Sequence, residues 1–233
     1  MFTVGVSIGA ITITEDSGKM NEVMSAVDTA CYTAKDLGRN RVQVYQHGDQ
    51  ELTKRKNEMH WKQRISEAVN DDSFVLYAQE IFSRDKENQA KRRLDILVRL
   101  HDADGNLITP HAFLPAAERY ALTADIDLWV IKKTLQTISE LKLDKRNYNI
   151  SINLSGQSLN TPNILRTIIN NFEASGIDPE MICFEITESM AISNITAARK
   201  FISILKGMGC KFALDDFGKG LSSFTYLKHI PVD

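Results

Sequence analysis

From Phe74 onward, short apolar runs alternate with longer stretches of helical period, and few folds accommodate that alternation. The runs are Phe74–Ile81, Leu94–Leu100, Tyr148–Leu154, Met181–Ile186 and Lys211–Leu214; helices are predicted near 111–121, 124–141, 161–175 and 194–208. Strands taking turns with helices build βαβ units, so a parallel sheet is expected, either open or closed into a barrel. Upstream, 2–10 has strand alternation, and about 20–36 has a helical stripe of Val23, Met24, Val27, Ala30, Cys31 and Ala34, stopped by Gly38. Residues 41–45 return to a strand. A polar, lysine-rich stretch from about Gln46 then merges into a helix carrying Met59, Trp61, Ile65, Ala68 and Val69, which reads as a connector between two units.

The length of 233 residues allows one large domain or two small ones. With 43% hydrophobic and 25% charged residues the composition is that of a soluble globular protein. A formal net charge of -2 argues against a nucleic-acid partner, which calls for a basic excess. Lys54-Arg55-Lys56 and Lys91-Arg92-Arg93 are flanked by acids and read as solvated faces. No apolar run approaches the roughly 20 residues of a membrane span, and no signal peptide is recognisable. No membrane contact is expected from this segment. Cys31, Cys183 and Cys210 fit neither a disulfide framework nor a zinc spacing, so reduced core thiols in a cytoplasmic setting are expected.

Chemistry is signalled where polar residues interrupt the apolar strands near their C-terminal ends, the end at which parallel α/β barrels assemble active sites. Asn153 and Ser155 share one strand face, as do Glu185 and Thr187, and Asp215-Asp216 precedes a glycine-containing loop. Each has an ordinary alternative: Asn153 and Ser155 as a plain strand end, Glu185 as half of an ion pair. The adjacent carboxylates of Asp215 and Asp216 repel unless a positive group lies beside them. That group could be an arginine, but hard oxygen donors from several strands suggest Mg²⁺ or Mn²⁺. None of the three strand ends carries a histidine, which weakens a zinc reading. His47, His60, His101, His111 and His229 show no metal spacing and are expected at the surface.

These residues carry a family resemblance. Phe74-Val75-Leu76-Tyr77-Ala78-Gln79, Asp95-Ile96-Leu97-Val98-Arg99, Phe113-Leu114-Pro115-Ala116-Ala117-Glu118, Asn153-Leu154-Ser155, Glu185-Ile186-Thr187-Glu188 and Asp215-Asp216-Phe217-Gly218 run in order, followed by Ser222-Ser223 and Tyr226-Leu227-Lys228. Together they resemble the EAL family of cyclic-di-GMP phosphodiesterases. The first part resembles the tail of a GGDEF (diguanylate cyclase) domain, through Val6-Ser7-Ile8-Gly9, 26–35 and Gly38-Arg39-Asn40-Arg41. The resemblance therefore implies a GGDEF remnant over 1–46, a helical linker over 47–72, and an EAL domain over 73–233 that forms an incomplete TIM-like (β/α) barrel. Lys35 and Arg39 align with positions that contact GTP phosphates in active cyclases. The cyclase signature loop is not in these residues, so no cyclase activity is expected from them.

The resemblance implies a two-metal hydrolysis of cyclic-di-GMP to pGpG in bacterial second-messenger signalling, with Mg²⁺ or Mn²⁺. Asp95, Asn153, Glu185 and Asp215 would ligate metal, and Asp216 would join the second metal or its water. Arg99 would clamp a phosphate and Gln79 would contact a guanine. Glu188 would hold the loop after Asp216, which in the family couples the metal site to a homodimer. Asp95 stands where the family has glutamate, one methylene longer, so weakened activity is expected; the alternative is a degenerate EAL domain acting as a cyclic-di-GMP receptor or protein-interaction module. Gly220-Leu221 in place of the usual Gly-Tyr, with Lys219 just before, is a milder departure, and Glu80 replaces the usual proline and is expected to loosen the first strand's exit. The family runs on beyond Asp233 into further site residues, and five of the expected eight barrel strands are counted. The piece is therefore expected to be inactive alone, with an open sheet edge, and any membrane anchor of the parent would lie upstream.

Overall fold

The computed structural model describes residues 5–14, 17, 19–36, 40–45, 50–82, 91–101, 105–161, 163–218 and 230–233, with the backbone alone at 21, 25, 29, 32, 35–36 and 50–60. The chain divides into two units, residues 1–64 and 65–233.

In the first unit, β1 (Ile8–Ile11) and β2 (Val42–Tyr45) pair in parallel, with α1 (Met20–Asp36) as the crossover. The helix occupies the expected span, but its buried stripe is Ala26, Ala30 and Ala34, and Met24 is 55% exposed. Small residues win because α1 lies directly on β1. A Cβ at Gly9 would stand 2.3 Å from the Val27 carbonyl oxygen and the Cys31 amide nitrogen, so only glycine fits. Among the described residues strand structure begins at Ile8, leaving 5–7 of the expected strand outside it, and residues 2–4 lie outside the described set. Register puts Ile8 with Val42 on the sheet face opposite Gly9, and both are exposed. Gly38 and Arg39 lie outside the described residues. The helix α2 (Gln50–Asp71) follows.

The second unit is an α/β sheet with strand order β3-β4-β6-β7-β8. Its strands are β3 (Phe74–Ile81), β4 (Arg92–His101), β5 (Leu107–Ile108), β6 (Tyr148–Asn153), β7 (Ile182–Thr187) and β8 (Lys211–Asp215). From β4 to β8 the order is parallel, as expected. The expectation of a wholly parallel sheet fails at its first strand: β3 pairs antiparallel with β4 from Phe74↔Leu100 to Ile81↔Arg93. Residues 82–91 between them are too few for the helical crossover a parallel pair needs. The two-residue β5 adds a second antiparallel partner to β4.

The helices α3 (Pro110–Arg119), α4 (Thr123–Glu140), α5 (Gly156–Asn160), α6 (Ile164–Ser175), α7 (Glu188–Ser193) and α8 (Ile195–Met208) complete the unit. One strand face is apolar and buried: Ile150 and Ile152 on β6, and Ile182, Phe184 and Ile186 on β7. Phe74 meets Phe113 of α3 and Trp129 of α4 at ring separations of 5.6 and 5.4 Å. Phe212 of β8 lies 5.5 Å from Phe184 and 6.5 Å, edge-on, from Phe201 of α8. Burying these rings between strand and helix is the main source of stability, about 1.5–3 kcal/mol for each large apolar side chain. Alternation then directs the intervening residues to the opposite face, where the polar set gathers.

Two further expectations change. Glu80 does not loosen β3; its carboxylate accepts from Nε and Nη2 of Arg92 at 2.7 and 2.9 Å, and the Arg92 guanidinium lies 5.7 Å over the Tyr148 ring. Because the pair is exposed and screened by solvent, Arg92→Ala is expected to leave the midpoint of a denaturant melt unchanged within error. The outer edge of β8 is not bare at Phe212: the Asp233 amide donates to the Phe212 carbonyl, and the Phe212 amide donates to Asp233 Oδ2, both at 2.9 Å.

All three cysteines are free, with Cys210 buried. Burial pushes the Cys183 thiol up to about 11 and Cys210 up to about 12, which keeps both protonated at neutral pH. His101 and His111 are exposed; the side chains of His47, His60 and His229 lie outside the described set. Among the described residues, no helix is long and apolar enough to cross a membrane.

Candidate functional site

Register brings the strand-end residues to one face. Gln79 on β3 faces Asp95 on β4, and Asp95 faces Ser151, two residues before Asn153 on β6. Asn153 faces Glu185 on β7, and Glu185 faces Ala213, two residues before Asp215 on β8. Steps of zero or two preserve the face, so Gln79, Asp95, Asn153, Glu185 and Asp215 all project from the same side of the sheet. Arg99, four residues after Asp95, shares it.

The site is electrostatically loaded. Asn153 Nδ2 donates to Asp95 Oδ1 at 3.1 Å. Partial burial, reinforced by the negative charges of Glu185 and Asp215, pushes the Asp95 carboxyl up to about 6, against the lowering effects of the Asn153 bond and Arg99. Asp215 is engaged locally: its Oδ1 accepts from the Asp216 amide at 2.7 Å. Asp216 has φ +54°, a left-handed conformation costly for a residue with a Cβ and concentrated at functional sites. Glu188, the first residue of α7, is 3% exposed. Its Oε2 accepts from the Gly218 amide at 2.7 Å, and its buried Oε1 has no hydrogen-bond partner among the described residues.

Beside this face opens a cavity of about 970 Å³, lined by Arg99 and Asn153, by Leu114 and Ile126 from α3 and α4, and by Ser155 and Thr187 at strand ends. Its volume lies in the range of small-molecule sites. One lining group was not anticipated from the sequence. Asp127 of α4 is 8% exposed, and its Oδ2 accepts from the Ser155 amide at 2.7 Å and the Ser158 hydroxyl at 2.5 Å. Burial pushes its carboxyl up to about 6 despite those bonds. The available signal was an acid on the buried helical stripe of Ala124, Ile131 and Thr134.

The donor set of two aspartates, a glutamate and an asparagine is made of hard oxygens, and the raised Asp95 carboxyl marks excess negative charge that a divalent cation would relieve. In ligand type and charge the residues therefore fit such a cation. Among the described residues, however, no three histidine, cysteine or carboxylate side chains close into a ready cage. Lys35 lies in α1 of the other unit, with its side chain outside the described set. Arg39 and the loop bearing Lys219, Gly220, Leu221, Ser222-Ser223 and Tyr226-Leu227-Lys228 also lie outside it.

The EAL domain family model matches residues 62–233, well over half the chain. The chain belongs to the EAL family. This EAL chain is 34% identical over 232 residues to the cyclic di-GMP phosphodiesterase PdeB of Shewanella oneidensis, covering all of this chain and 27% of that relative. It thus spans about a quarter of the length of that curated protein. The FimX EAL domain of Pseudomonas aeruginosa, solved bound to c-di-GMP, is 28% identical with a TM-score of 0.66, covering 76% of this chain and 69% of that one. A Vibrio cholerae LapD chain comprising S helix, GGDEF and EAL segments covers 92% of this EAL chain and 50% of its own, with a TM-score of 0.65. Its 20% identity shows the fold alone. The second unit accordingly has the α/β TIM-like EAL fold.

Proposed function

We propose that the protein of which this EAL segment forms part hydrolyses cyclic-di-GMP to pGpG in bacterial second-messenger signalling. The observation that carries this reading is the single-faced set of Asp95, Asn153, Glu185 and Asp215 beside a cavity reached by Arg99. Similarity to a phosphodiesterase over all of this chain supports it. Water adds across one phosphodiester, breaking the bond to the 3′ oxygen and leaving a 5′-phosphate and a 3′-hydroxyl.

In this reading Asp95, Asn153, Glu185 and Asp215 would hold two Mg²⁺ or Mn²⁺ ions, and Asp216 would join the second ion or its water. When bound, such ions supply a water of lowered pKa and neutralise charge on the phosphate. Arg99 presents a planar fork of donors that suits a phosphate oxygen pair. Gln79, an amide on the same face, contacts a guanine edge. Glu188 tethers the loop after β8 through the Gly218 amide, so a change in that loop, as at a homodimer contact, reaches Asp216 directly.

The first unit is assigned to a GGDEF remnant over 1–46, joined by a linker over 47–72 to the EAL domain over 73–233. The parallel β1–α1–β2 unit supports this, as does the exposed apolar sheet face of Ile8 and Val42, which a larger domain would cover. Lys35 and Arg39 would be its former phosphate-contact positions. In this reading the segment acts in the cytoplasm, which the three free cysteines support.

One observation favours a second reading, a cyclic-di-GMP receptor without turnover. Asp95 is a shorter carboxylate than the family's glutamate, and at about 6 its proton competes with a cation near neutrality. The test is incubation of the longer protein with cyclic-di-GMP and Mn²⁺ or Mg²⁺, with chromatography for pGpG. Product formation is expected, and Asp95→Glu is expected to raise the rate about tenfold. Tight binding with no product from either form selects the receptor.

A further inference from the structure

Arg99 owes its orientation to a neighbour that the site does not otherwise use. Across the antiparallel β3–β4 pair, Tyr77 faces Leu97 and Val75 faces Arg99. Tyr77 and Arg99 are therefore diagonal neighbours on the same face, a spacing that aromatic and long side chains bridge. The Arg99 guanidinium carbon lies 6.0 Å from the Tyr77 ring centroid, and Nη1 donates to the Val98 carbonyl at 2.8 Å. Tyr77 is 48% exposed and does not line the cavity, whereas Arg99 does. An aromatic ring left half in water on the site face is poorly accounted for by packing.

We infer that Tyr77 is a positioning residue, whose ring face holds the Arg99 guanidinium toward the cavity and so sets the affinity for a phosphodiester anion. The inference rests on the proposed cyclic-di-GMP reading for its ligand but not for its geometry. The ring quadrupole attracts the cation, and the ring plane removes one side of the volume through which a long side chain would swing. The Val98 carbonyl fixes one nitrogen and leaves the remaining guanidinium donors for an anion. The phenol hydroxyl has no part in this, so phenylalanine should serve as well as tyrosine and leucine should not.

The test uses the full chain in two arms. In the first, without ligand, side-chain NMR of Arg99 should show an upfield ring-current displacement of its Nε–H and Cδ protons, kept in Tyr77→Phe and lost in Tyr77→Leu. In the second, cyclic-di-GMP affinity by calorimetry should fall about threefold to tenfold in Tyr77→Leu, the range of partly exposed cation–π contacts, and hold within twofold in Tyr77→Phe. In an Arg99→Met background Tyr77→Leu should have no further effect, because a residue acting through another cannot add to its loss. Equal losses from Tyr77→Leu with and without Arg99, or Arg99 protons at random-coil positions in the parent chain, overturn the inference. If the parent chain binds no cyclic-di-GMP, the functional reading fails while the first arm still decides the geometry.

Discussion

Glu185→Gln is expected to lower cyclic-di-GMP hydrolysis by the longer protein at least about a hundredfold, the scale on which losing one preorganised electrostatic group at a reaction centre is felt. Glu185 is the central member of the strand-end set, facing Asn153 on one side and lying two register positions from Asp215 on the other. Glutamine keeps the shape and the half-buried packing, so the fold should survive, and thermal melts of the two forms should agree within a few degrees. A pGpG assay in Mn²⁺ reads the rate; turnover within tenfold of the parent would remove Glu185 from the catalytic set. The same variant has a second readout needing no activity. Burial is the first cause holding the Asp95 carboxyl up near 6, and the Glu185 charge is the second. Removing that charge should lower the Asp95 pKa while burial keeps it above 3.8, a change visible by carboxyl-carbon NMR. An unmoved Asp95 would mean that the two carboxylates do not share a field.

Most of the frame was legible because periodicity carries it. The β3 span and the α1 span match their sequence patterns residue for residue, and β6, β7 and β8 begin or end within a residue or two. The chemistry was legible for the same reason: polar residues at i and i+2 of an apolar strand have one face to share. What was missed depends on contacts that no local pattern contains. The short helix α5 opens on Gly156 and is tied to Asp127, 29 residues upstream, through Ser155 and Ser158. The short helix α7 has a local signal, Thr187 accepting from the Met190 amide at 3.4 Å, but it lies inside the strand motif Glu185-Ile186-Thr187 and was absorbed by it. The antiparallel β3 was readable from connection length and was overridden by the strand–helix rhythm downstream. Glu188 shows the converse: its place in the motif indicated a loop tether, but that one oxygen accepts from the Gly218 amide and the other has no partner among the described residues is a tertiary fact.

Asp127→Asn is expected to remove a loss of stability that the parent chain undergoes as pH rises from about 4 to about 7. Asp127 is buried and its carboxyl is pushed up to about 6 by burial, with the bonds from Ser158 and Ser155 only partly offsetting it. The folded pKa lies above the unfolded value of about 3.9, so folding is favoured by the protonated form. That contribution is fully present below about pH 4 and is lost as pH rises through about 6. Raising a carboxyl from about 3.9 to about 6 corresponds to about 3 kcal/mol between the two ends of that window. The parent chain should therefore lose about that much relative to Asp127→Asn between pH 4 and pH 7. Subtracting the two urea-unfolding profiles point by point removes Asp95 and every other titrating group common to both. Asparagine keeps an oxygen for the Ser155 amide, so the β6–α5 turn should remain formed, and the unpaired amide nitrogen shifts the variant's curve by a constant without tilting it. Parallel profiles across the window would mean that Asp127 is solvated well enough to ionise freely, and the wall of the cavity beneath Ser155 would then be wet rather than closed.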